Sequence, residues 1–273
     1  MTRAPRRVLI RAFGLALVAV VASIAGAHDT WLLPSSLKVP VGKAVTLHLT
    51  SGIVFPSDDF AINPGRIKRA DARLGGVTRA LANRGRTDNA TLYRWTPATA
   101  GVAALVVELA PKVLTLQPRL IPVYLDEIGA TAEVRRAWEA VPSPKQWRES
   151  YVKHAATFVR VGERADSGWV AALGMGFELL PLSDPTGIVA GGSLGLRVLR
   201  DGRPLAGQPV TIRRESSEQA TVVTTDADGR TTLSFPADGR WLVAATELRR
   251  VRRAGLEWES DFATLTLAVA ARR

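Results

Sequence analysis

Cysteine is absent from the 273 residues. No disulfide braces the fold, and no thiolate serves as a nucleophile or a soft-metal ligand. Histidine is scarce, with His28, His48 and His154 the whole supply. The sequence holds no Gly-x-Ser-x-Gly elbow and no glycine-rich phosphate loop, so serine-hydrolase and nucleotide chemistry have no anchor. Paired carboxylates do not stand out either; Glu257, Glu259 and Asp261 cluster as strand-end charges do routinely. The chain reads as a binding protein, not an enzyme. Beyond residue 24 no apolar run is long enough to cross a bilayer.

What is present begins with an export signal. Residues 1–27 carry Arg3, Arg6, Arg7 and Arg11 and no acid, then an apolar run from Ala12 to Ile24, then Ala25-Gly26-Ala27. A basic start, a short apolar stretch and small residues at the cut are the three parts of a secretory signal peptide. Cleavage after Ala27 leaves a periplasmic or secreted protein that starts with His28. The net charge of +11 includes the four leader arginines, so the mature chain keeps +7. Its densest basic stretch, Glu247 to Arg253, has no interleaved aromatics and reads as a solvated hairpin face, which argues against nucleic acid as a partner.

The body of the chain is written in short strands. Val45, Leu47 and Leu49 alternate with Thr46, His48 and Thr50, placing His48 on the more solvated face. Residues 66–70, 90–95 and 103–109 are further apolar or β-branched pieces, separated by Gly75-Gly76, Asn83-Arg84-Gly85 and Pro97 to Gly101. From about 124 to 158 the pattern turns helical. Leu125, Ile128, Val134 and Trp138 fit one helix face, and Trp147, Tyr151, His154 and Phe158 follow at steps of four, three and four. The last segment alternatively runs into a strand through Thr157 to Val161. From 177 onward strands return, with Asp201-Gly202 as a hairpin turn pair and Asp226-x-Asp228-Gly229 as a simple turn lacking the acids of a calcium loop.

The expected fold is mostly β: two immunoglobulin- or transthyretin-like antiparallel β-sandwich domains with a short helical insertion. The expected boundaries are a signal peptide over 1–27, an amino-terminal sandwich over 28–165 with the insertion at about 124–158, and a carboxy-terminal sandwich over 166–273.

One chemistry survives these exclusions. An amino-terminal histidine offers a metal its ring nitrogen and its free amine together. His154 supplies a third nitrogen, with His48 the weaker candidate, and such a set suits copper, nickel or zinc. Asp29 is placed to act as a supporting carboxylate. On its aromatic face His154 also reads simply as a packed, hydrogen-bonded core residue.

Several phrases resemble a bacterial periplasmic family, domain of unknown function 4198. They are Ala27-His28-Asp29-Thr30-Trp31-Leu32-Leu33-Pro34, Tyr151-x-Lys153-His154-Ala155, Glu178-Leu179-Leu180-Pro181-Leu182-x-Asp184-Pro185, Gly239-Arg240-Trp241-Leu242-Val243 and Trp258-Glu259-Ser260-x-x-Ala263-Thr264-Leu265-Thr266. The family is described as NikM-like, after the substrate-capturing component of nickel and cobalt transporters. The resemblance implies an exported binding protein for a divalent transition metal, nickel or cobalt first and copper next, that supports uptake or delivery to a membrane transporter. Only His28 and His154 fall within matching phrases, and the membrane helices of the transporter component are missing here. A metal-free adhesion or scaffold module, and a copper enzyme built on the amino-terminal histidine, are the alternatives.

Overall fold

The computed structural model describes residues 28–272 except Ala165 and Glu218. The expected signal peptide lies outside the described residues. Among the described residues no helix is long and apolar enough to cross a membrane.

The chain opens with β1 (Asp29–Pro34), β2 (Lys38–Val39), β3 (Val45–Gly52) and β4 (Phe60–Ala61). There follow β5 (Ile67–Leu74), β6 (Val77–Ala80), β7 (Ala82–Arg86), β8 (Thr91–Trp95), β9 (Gly101–Leu109) and β10 (Lys112–Thr115). Two helices, α1 (Ile121–Glu127) and α2 (Ala132–Glu139), precede the long β11 (Arg148–Val161). The remainder is β12 (Phe177–Pro181), β13 (Gly192–Arg200), β14 (Arg203–Pro204), β15 (Pro209–Arg214) and β16 (Ala220–Thr224). It ends with β17 (Arg230–Phe235), β18 (Gly239–Arg253) and β19 (Leu256–Val269). The protein is mostly β, as expected, with sandwiched sheets and a short helical insertion.

Three sheets make the sandwiches. The first runs β1-β3-β8-β7, with β4 on β3. The central sheet runs β16-β15-β18-β19-β11-β9-β5-β6, with β10 and β2 also pairing β11. The third runs β12-β13-β14, with β17 on β13. One face of the central sheet packs on the first sheet through Leu32, Leu47, Leu49, Leu105, Val107 and Val159. The other face packs on the third through Val106, Phe158, Phe177, Leu196, Leu265 and Leu267. Strands β9 and β11 thus serve both cores, and all nine residues of β9 are buried. Burial on both faces explains why Val102 to Val107 is apolar throughout instead of alternating. The sheet is continuous across the expected boundary near 165, because β11 pairs in parallel with β19 from His154↔Ala263 to Thr157↔Thr266.

The helices are set by local chemistry. Pro122 stands in the first turn of α1, where its missing N–H costs nothing. The Thr131 hydroxyl accepts from Val134 N to start α2, and Gly129, at φ +62°, turns the chain between the two. Both pack on a third apolar cluster that includes Tyr124, Trp138, Trp147 and Trp258. The Trp147 and Trp258 rings stack there with centroids 4.5 Å apart.

The expectation of a helix through 147–158 is corrected: the chain from Arg148 is strand. The helical spacing of Trp147, Tyr151, His154 and Phe158 arises because β11 is buried on both faces, so aromatics occupy either parity. Tyr151 joins the helix-side cluster, whereas Phe158 joins the opposite core. The Asp226 turn is the simple one expected, its carboxylate accepting from Asp228 N and Arg230 N.

Candidate functional site

Strand β1 lies across the central sheet and is tied to it where Thr264 Oγ1 donates to the Thr30 carbonyl, 2.6 Å. Two residues earlier stands His28, on the rim of a cleft of about 480 Å³. The floor is the face of β15, β16 and β18 that the first sheet leaves uncovered: Thr211, Arg213, Val222, Thr224, Ala244 and Thr246. Register places Val222 and Ala244 on either side of Thr211. One wall is His28, Asp29, Gly52 and Ile53; the other is the α1–α2 connection, Glu127 to Ala130. Arg135 stiffens that second wall, bonding Asp126 at 2.7 Å and the carbonyls of Leu125 and Ala130.

The charges around His28 are few and close. Lys153, nearly fully buried, donates through Nζ to the His28 carbonyl. Burial pushes this ammonium down to about 8, with Asp29 pulling the other way. Asp29 pairs with Arg213 Nη2 at 3.1 Å, yet burial still raises its carboxyl above the usual range. The His28 ring stacks on Phe60, centroids 5.4 Å apart and planes 13° apart. Burial first, and the Lys153 charge second, lower its pKa from 6.5, so the imidazole is neutral and able to ligate at pH 7. Arg213 Nε is buried and has no hydrogen-bond partner among the described residues.

The other two histidines lie elsewhere. His154 is the neighbour of Lys153 in β11 and so points to the opposite face of the sheet. There it is buried between two carboxylates, with Nε2 2.9 Å from Asp261 and Nδ1 3.4 Å from Glu108. Arg200 and Arg249 reach the second Asp261 oxygen at 2.8 and 2.9 Å, and Lys68 pairs with Glu108. His48 sits on the first sheet, half-exposed, with Nδ1 2.6 Å from Asp58. It pairs across from Leu33, whereas the His28 end of β1 pairs near Gly52. Five residues of strand separate them, roughly 16 Å at ~3.3 Å per residue.

The expectation that His154, or more weakly His48, joins His28 as a ligand is therefore corrected: a sheet divides His28 from His154 and a strand's length divides it from His48. Among the described residues no three His, Asp or Glu side chains are grouped to hold a metal. The cleft residues that sequence reasoning missed are Lys153 and Arg213. A lysine in the run from Val152 to Val159, where His154 is the one other basic residue, was the readable sign of the first. Arg213 stands one residue before the end of β15, beside Arg214, and carries no such sign.

A family model described as Domain of unknown function (DUF4198) matches residues 25–247, and the chain belongs to that family. No curated protein matches it. Among solved structures it is similar to the D0-D1 domain of intimin, at 12% identity over 89% of this chain and 99% of that one, TM-score 0.23. It is also similar to the Yersinia pseudotuberculosis adhesin InvE, at 12% identity over 90% of this chain and 59% of that one, TM-score 0.24. At such TM-scores neither likeness bears on how this chain works.

Proposed function

We propose that the exported chain, once residues 1–27 are removed, captures a divalent transition metal at His28. Nickel or cobalt is the first choice and copper the next, for delivery to a membrane transporter. The amine and ring of the new first residue form a two-nitrogen chelate. The observation that carries this reading is the position of His28. Its ring is held neutral on the rim of an open cleft, and Lys153 fixes its carbonyl, so the chelating residue is anchored at one end. The NikM-like resemblance drawn from the sequence is the reason for putting nickel and cobalt first. His154 and His48 have no part in the chelate, their ring nitrogens facing Asp261, Glu108 and Asp58.

Calorimetric titration of Ni²⁺, Co²⁺ and Cu²⁺ into protein beginning at His28 tests this, beside a form with one extra alanine before His28. The extra residue removes the amine from the chelate and is expected to weaken binding at least tenfold. Equal affinity in the two forms sinks the proposal, and no binding to either form favours a metal-free scaffold.

A further inference from the structure

The central sheet ends on an unguarded strand. Among the described residues β16 is bonded to β15 alone, and it reads Ala220-Thr221-Val222-Val223-Thr224. From Gln219 to Thr225 the chain has no charge, no proline and no glycine. The pairing with β15 carries no bulge. Exposed edges are normally blunted by charge, proline or a bulge, because their unpaired N–H and C=O groups accept another strand. Two outer strands of this protein follow that rule. β6 carries Arg79, and β7 carries Arg84 and Arg86 with a register shift between Asn83 and Arg86. β16 has none of these devices, and its Val222 is 60% exposed.

The pairing with β15 fixes which groups are free. Thr225 N donates to the Gln208 carbonyl at 3.1 Å, and bonded and unbonded pairs alternate along an antiparallel ladder. Thr221 and Val223 therefore bond to β15, while Ala220, Val222 and Thr224 turn their N–H and C=O outward. A second copy of β16 offers the same groups in reverse order. Centred on Val222, the antiparallel pair sets Val222 against Val222, Thr221 against Val223 and Ala220 against Thr224. Every outward residue then faces an outward residue, and each such pair exchanges hydrogen bonds. The opposed side chains are small or β-branched, which suits cross-strand packing, and no like charges meet. The contact also closes on itself, since two β16 edges that have met leave none for a third copy.

We infer that two copies of this chain associate by antiparallel pairing of β16 about Val222, joining their central sheets into one. Val222 and Thr224 line the cleft floor, so the two clefts lie side by side on one face of the joined sheet. The contact does not depend on metal capture. A strand pair of this length buries less than the roughly 1,200 Å² of a stable interface, so the dimer is weak, with a Kd of roughly 10–1000 µM.

Sedimentation velocity of protein beginning at His28, from micromolar to millimolar concentration, is expected to show a reversible monomer–dimer equilibrium. Val222→Lys sets two ammonium groups at the axis and is expected to weaken it at least tenfold. Thermal unfolding of that variant should be unchanged, because residue 222 is exposed. The chain has no cysteine, so introduced thiols report the register. With a short bis-maleimide, Val222→Cys is expected to link to its own copy, and Ala220→Cys only when mixed with Thr224→Cys. Monomer at every concentration overturns the inference and leaves the edge to a strand of another protein. Oligomers beyond a dimer, or a dimer indifferent to Val222→Lys, also overturn it. So does equal linking of Val222→Cys and of Ala220→Cys alone.

Discussion

Lys153 and His154, adjacent in β11, hold opposite faces of the same sheet: one anchors the His28 carbonyl, the other bridges Glu108 and Asp261. Strand parity alone separates the candidate metal site from the only fully buried histidine. Each side then carries its own titration.

On the cleft side, Lys153 gives a measurable alkaline signature. Its ammonium titrates near 8 in the folded protein and near 10.5 when unfolded. Between those values the unfolded chain binds more protons, so stability rises with pH across this window. At about 1.4 kcal/mol per unit the gain is about 3 kcal/mol. Lys153→Met is expected to abolish the rise, read by urea unfolding at pH 8 and 10.5. The same variant removes the cation nearest His28, so the His28 imidazole pKa should move up, as followed by NMR.

On the other side, stability should weaken in both directions from mildly acid pH. Burial opposes a charge on His154, but its contacts with Asp261 and Glu108 raise its pKa above 6.5. Its contribution is complete below pH 6.5 and is lost as pH rises through the folded value. The His154 contact and Lys68 hold Glu108 down to about 2, so its contribution is complete above 4.5 and lost toward 2. Both are full between 4.5 and 6.5. His154→Phe leaves two buried carboxylates short of a partner and is expected to cost roughly 3–5 kcal/mol at pH 5.5. Chemical denaturation at pH 5.5 and 8 distinguishes this from a uniform packing loss.

A third buried polar group sits beneath the helices. Glu149 accepts from Tyr124 Oη at 2.7 Å, from Trp147 Nε1 at 2.8 Å and from Ser260 Oγ. Burial raises its pKa even so, and the folded state therefore favours the protonated form more than the unfolded chain does. Stability falls as pH rises from 4.5 through the folded value. Glu149→Gln should hold the site within about 1 kcal/mol, because both hydroxyls can reverse to accept from the amide. Glu149→Leu strands the indole N–H and is expected to cost about 2–3 kcal/mol. Thermal unfolding at pH 5 and 7 reads both.

His48 serves as the control for the metal experiment. It is half-exposed and pairs only at the surface, with Asp58. His48→Ala should alter nickel affinity less than twofold and stability by less than about 1 kcal/mol. A larger loss of affinity in calorimetry would return this residue to the ligand set.

The β character, the short helices and most strand positions were legible because turn residues and alternation mark them locally. Val45, Leu47 and Leu49 face the core as their alternation requires, and Asp201-Gly202 makes its hairpin. What failed was local in a different sense. Around Trp147 to Phe158, burial on both faces of β11 erased the two-residue period, and chance spacing imitated a helix. The site was half legible: export chemistry points to His28 and its neighbour Asp29. The partners across the sheet were not, since which residues face His28 depends on β18 lying between β15 and β19, a pairing that no local pattern records.

The parallel pairing of β11 with β19 has a consequence for how the molecule is assembled. Leu256–Val269 is the last strand of the sequence, yet it sits between β18 and β11, in the middle of the central sheet. Until it arrives, the strands beneath the cleft and those beneath His28 belong to two unjoined ribbons. Closing contacts such as Glu149↔Trp258 span much of the chain, which makes folding slow and late. A chain synthesised amino-terminus first thus stays open until β19 has been made. The cleft is the last part of the protein to exist.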